Sequence, residues 1–90
     1  MRTFKQVKRD LKLVLYHRIQ FIRNLKRQLK FNSRNGNSNQ FVYKVLKSEK
    51  EQVKVLQIAL RIIRNRGTKN IAPNKTSGRA LELVNYYHSQ

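Results

Sequence analysis

The sequence predicts an all-α protein: one long antiparallel helical hairpin, residues about 3–31 and 40–66, followed by a short C-terminal helix over about 77–88. Three observations carry this. Apolar residues recur at three- and four-residue spacing through two long segments, and neither segment contains Gly or Pro. The turn-forming residues are gathered between and after them, at 32–39 and 68–76.

Phe4, Val7, Leu11, Leu15, Ile22, Leu25 and Leu29 fall on one stripe at helical spacing and define the first helix. NSRNGNSN, residues 32–39, offers Asn, Ser and Gly for a left-handed cap and a tight reversal. Val42, Leu46, Val53, Leu56, Leu60 and Ile63 repeat the stripe, with Ser38 or Asn39 as N-cap and Gly67 as the stop. A short link between two long helices makes them antiparallel neighbours. TKNIAPNKT, residues 68–76, holds the single proline and is expected to be a loop. The last helix is expected to be capped by Ser77 and to turn Ala80, Leu81, Val84 and Tyr87 inward. Residues 1–90 form a single small domain, whose modest core leaves open a dependence on a partner for stability.

Lys and Arg number 21 against four acids, for a formal charge of +17. Self-repulsion of that size opposes compaction unless a polyanion neutralises it, so an acidic partner is expected. The absence of cysteine removes disulfides, thiolate metal sites and thiol nucleophiles together, and two histidines do not make a zinc site. No metal, cofactor or catalytic residue is nominated: the three glycines are scattered, so no Gly-rich phosphate loop exists, and Glu49 and Glu51 face different ways on a helix. An enzyme is not expected. Nor is a transmembrane segment, because Lys and Arg interrupt every apolar run.

The placement of the cations is more informative than their number. At about 100° per residue, Lys5, Arg9, Lys12, Tyr16, Gln20, Arg23, Arg27 and Lys30 share a sector of roughly 60–80° beside the apolar stripe. The remaining face of the first helix carries Gln6, Asp10, His17, Asn24 and Gln28, polar but almost uncharged. Tyr43, Lys47, Lys50, Lys54 and Arg61 form a second rail on the second helix, and Arg34, Arg64, Arg66, Lys69 and Lys75 extend positive charge to both ends of the hairpin. A solvated face normally mixes signs, since like charges one turn apart repel. These rails contain no acid. Rows of uncompensated cations at one-turn spacing suit phosphate tracking, with a tyrosine on each rail to stack on a splayed base. A basic amphipathic helix also suits an acidic membrane surface, a weaker reading because the first helix has apolar partners within its own chain.

Two charged residues stand among apolar ones. Arg18 lies between Leu15 and Ile22, and Glu49 between Leu46 and Val53. In a hairpin closing near 35 and 36 they come within about a turn of each other, and a bridge between them is expected to fix register. The alternative is that Arg18 addresses an external anion. Val55, Ile58 and Ile62 give the second helix a second apolar side, to be covered by the last helix, by a partner protein or by an acyl chain.

Leu15-Tyr16-His17-Arg18-Ile19, with Ile22-Arg23 and Leu25, resembles the opening helix of the LYR-motif family of small basic helical mitochondrial proteins. That family's triplet ends in Arg or Lys, where this chain has His17 followed by Arg18; Phe41 stands where the family places an aromatic early in the next helix. The resemblance implies a mitochondrial adaptor, an accessory or assembly subunit that binds acyl carrier protein or a respiratory complex, with Leu15, Tyr16, Arg18, Arg23 and Phe41 as partner contacts. An excess charge of +17 exceeds what docking one acidic carrier needs and suits rRNA better. The leading expectation is therefore a structural RNA-binding protein, a ribosomal one that contacts rRNA and neighbouring proteins, with the adaptor as alternative. A mitochondrial matrix location follows from the resemblance and from an N-terminal stretch that is basic, amphipathic and nearly acid-free like a transit segment; a cytoplasmic ribonucleoprotein is the other setting.

Overall fold

The computed structural model describes residues 2–36 and 38–90. It contains three helices, α1 (Phe4–Arg34), α2 (Gln40–Asn65) and α3 (Lys75–Ser89). The hairpin plus short third helix is as the sequence predicts. Asn37, inside the predicted connection, and Met1 lie outside the described residues.

α1 starts on a capping box. The Thr3 hydroxyl accepts from the Gln6 N–H at 3.2 Å, while the Thr3 N–H donates to Gln6 Oε1 at 3.0 Å, so two otherwise orphaned donors are satisfied. The helix runs three residues past its predicted end because Asn32 still faces the hairpin and is buried. Asn35 then closes it, its N–H reaching the Phe31 and Asn32 carbonyls at 3.2 Å, and Gly36 takes a φ of +70° that turns the chain. α2 begins at Asn39, whose side chain makes no cap bond and reaches Ser33 Oγ at 3.3 Å instead.

Two further ends differ from the sequence expectation. The stop of α2 falls one residue early: Arg66, not Gly67, takes the left-handed position at φ +54°. The Gly67 N–H bonds the Ile62 carbonyl at 2.9 Å and the Arg66 N–H bonds that of Ile63 at 3.2 Å, the paired bonds of a Schellman ending. Asn74, not Ser77, caps α3; its Oδ1 accepts from the Ser77 N–H at 2.9 Å, and the Ser77 hydroxyl accepts from the Asn74 N–H at 2.8 Å. Ser77 is the third helical residue of that box and is buried.

Helix α2 packs against both other helices. The larger core gathers Val7 and Leu11 of α1, Val55, Leu56, Ala59, Ile62 and Ile63 of α2, and Ala80 and Val84 of α3. Ala59 and Ala80 are completely buried, and their small size brings α3 close to the second apolar side of α2, so Val55 and Ile62 are covered within the chain. Leu81 does not join this core; it is 39% exposed, and Leu83 packs there instead. Phe4 is also half exposed, though its ring meets the edge of His88 at a centroid distance of 4.3 Å.

A smaller core of Leu25, Val42 and Leu46 occupies the turn half of the hairpin. Between the two cores sits the expected ion pair: Arg18 Nη1 donates to Glu49 Oε1 at 2.7 Å and Oε2 at 3.0 Å. The three-helix half and the two-helix half are thus joined across a charged contact. The outline measures 49 × 25 × 18 Å, with a radius of gyration of 15.8 Å. A rounded domain of this length has a radius of about 12 Å, so the hairpin makes the molecule a rod.

Candidate nucleic-acid interface

The rail residues occupy the surface the helical geometry assigns them. Lys5, Arg9, Lys12, Tyr16, Arg23, Arg27, Lys30 and Arg34 of α1 are all exposed, as are Tyr43, Lys47, Lys50, Lys54 and Arg61 of α2. Only Gln20 among the α1 rail positions is half-buried. Tyr16 and Tyr43 are each 58% exposed, enough to present a ring face. Arg66 and Lys69 are exposed in the 66–74 connection and Lys75 opens α3.

The two rails meet. A cleft of about 800 Å³ has Lys8 and Lys12 of α1 on one wall and Lys54, Arg61 and Arg64 of α2 on the other. Ile58 and Leu60 of α2 also line it, as do Asn74 and Thr76 at the start of α3. All five cations are exposed, so each keeps its hydration until an anion arrives. Among the described residues the ion pairs are Arg18–Glu49 and Arg2–Asp10, and neither touches the cleft. Its five positive charges therefore have no internal carboxylate to neutralise them.

Lys54 also lines a smaller groove of about 400 Å³ with Tyr43, Lys47 and Lys50, so the cleft continues along α2 toward the turn. Glu51 borders that groove, which corrects the expectation of an acid-free rail on the second helix. One carboxylate against three lysines weakens the local potential without reversing it.

Sequence reasoning missed Lys8, Gln57, Asn74 and Thr76. Lys8 stands about 40° round the helix from Lys12, on the border between stripe and rail, and counting every exposed cation beside the stripe would have included it. Asn74 and Thr76 carry no such signal, since their part depends on where α3 packs.

The residues implied by the LYR resemblance do not form one patch. Leu15 is half-buried against the larger core and Arg18 is paired with Glu49. Tyr16 and Arg23 sit on the rail, far round the axis from Arg18. Phe41 is 78% exposed at the start of α2, where it shares a groove of about 410 Å³ with Phe21, Asn24 and Val45. Phe21 also lines a smaller groove with Val14, His17, Arg18 and Glu49, so this side is largely apolar.

Among the described residues no group of three His, Cys, Asp or Glu side chains comes together as a metal site, and no helix is long and apolar enough to cross a membrane. No family model, no curated protein and no solved structure matches this chain.

Proposed function

We propose that this chain is a non-enzymatic structural component of a ribonucleoprotein, a mitochondrial ribosome foremost, that binds rRNA through its basic rails. One observation carries the reading: two rows of exposed cations on separate helices converge on a cleft in which five positive side chains have no acidic partner. Polyanion binding releases the counterions held by those side chains, so affinity falls linearly with log salt concentration. Phosphate contacts of this kind position RNA without reading its bases, which suits a structural subunit.

Charge reversal at R23E/R27E, both exposed on α1 and remote from the core, tests the reading. Binding of the full chain to an RNA oligonucleotide is expected to weaken at least about tenfold at 0.1 M salt, with the log–log salt slope smaller by about two. An unchanged affinity and slope would refute the rail argument.

A second reading, an adaptor of the LYR type, is favoured by the groove of Phe21, Phe41 and Val45, which leaves two aromatic rings uncovered where a protein or acyl chain could pack. Co-purification with an acidic acylated carrier protein supports the adaptor. Retention on RNA or heparin that collapses with salt supports the ribonucleoprotein.

A further inference from the structure

We propose that the cleft between α1 and α2 seats the sugar–phosphate backbone of an A-form RNA duplex, with the bases turned away from the protein. The inference rests on the RNA-binding reading above and names the form of RNA that the site takes.

Three features of the cleft select this ligand. First, cations stand on both walls, Lys8 and Lys12 facing Lys54, Arg61 and Arg64, so a ridge of phosphates entering the cleft is neutralised from two sides. The walls belong to helices packed against each other, so the cleft is a surface furrow of about 800 Å³ over their seam, room for a backbone ridge rather than a whole duplex. Second, the cleft contains no aromatic side chain. An unpaired strand is held by stacking its bases on aromatic rings, and here its bases would find cations, neutral polar groups and two aliphatic side chains but no ring to stack on. A duplex has no such need, because its bases already stack on each other.

Third, neutral polar groups stand among the cations. Asn74 Oδ1 is engaged with the Ser77 N–H. The Asn74 side-chain Nδ2, the Thr76 hydroxyl and the Gln57 amide have no hydrogen-bond partner among the described residues. Such groups match the 2′-hydroxyl, which both donates and accepts and which separates RNA from DNA on an A-form surface. The same groups can donate to phosphate oxygens, so the comparison of RNA with DNA isolates what they contribute at the 2′-hydroxyl.

The test measures binding of the full chain, at fixed salt, to an RNA duplex of about 16 base pairs, to one of its single strands and to the DNA duplex of the same sequence. The RNA duplex is expected to bind about tenfold or more tightly than either competitor. In K54E/R61E that preference is expected to vanish while residual affinity persists through the α1 rail. K54Q/R61Q, milder at the same exposed positions, is expected to lose part of it, and circular dichroism checks that both variants stay helical. T76V is expected to narrow the gap between RNA and DNA duplexes by about fivefold.

Equal or tighter binding of the single strand overturns the proposal, as does a duplex preference that survives in both double variants. Either result leaves the RNA-binding reading standing. Failure to bind every form of RNA sinks that reading itself, so the two failures are distinguishable.

Discussion

Arg66 holds a backbone conformation that a side chain with a Cβ adopts only at a cost, since the left-handed region crowds Cβ against the carbonyl by about 1 kcal/mol. The Schellman bonds at the end of α2 demand that conformation at residue 66, although a glycine stands one position later. Arg66→Gly is therefore expected to raise stability by about 1 kcal/mol and the thermal midpoint by about 4–8 °C. A lowered midpoint would mean that the guanidinium makes a contact worth more than the strain. The same replacement removes one cation, so a more stable variant with weaker RNA affinity would show that this position gives up stability for charge. The sequence pointed to Gly67 because glycine is the residue type that ends helices most readily; which residue ends the helix was settled by where Ile62 and Ile63 must remain buried. For a similar reason Leu81 looked inward by spacing yet lies outward: α3 is short, and the fully buried Ala80 sets its rotation on α2.

At the level of the helices, the Arg18–Glu49 pair decides how the hairpin holds its register. Glu49 is 13% exposed at its side chain and Arg18 43%, so the contact is only partly screened from water. Removing one member leaves the other charge facing apolar neighbours. Glu49→Ala is expected to cost about 1–2 kcal/mol, less than the about 3–5 typical of a fully buried pair because Arg18 can reach solvent. The double replacement R18M/E49L is expected to recover most of that loss, as measured by urea unfolding. Recovery failing entirely would show that the pair contributes net stability rather than register. This bridge was legible in the sequence because antiparallel geometry and a known turn position fix which residues lie opposite each other. The covering of Val55 and Ile62 by α3 was legible only as one of several alternatives, since periodicity shows that a face must be covered but not by what. The cleft was less legible still. Each rail could be drawn from helical geometry, but their convergence, with Asn74 and Thr76 in the lining, required the packing of all three helices.

For the molecule as a whole, a formal charge of +17 acts on the fold and on the ligand with opposite dependence on salt. The isolated chain repels itself, and the Debye length shortens to about 8 Å at 0.15 M ionic strength, so added salt is expected to raise its thermal midpoint while it weakens RNA binding. Melting followed by circular dichroism across that range checks the first half; a midpoint that stays flat or falls would show that the rails are far enough apart to ignore each other. The two ends of the described chain close the three-helix half. The Arg2 N–H donates to the His88 carbonyl at 3.1 Å, and His88 Nδ1 lies 2.9 Å from the Arg2 carbonyl. A carbonyl only accepts, so Nδ1 carries the proton and the buried Nε2 is left without a partner. Those two residues are separated by 86 positions. During synthesis both helices of the hairpin therefore emerge well before His88 has been added, so the contact that ties residue 2 to α3 is among the last to form.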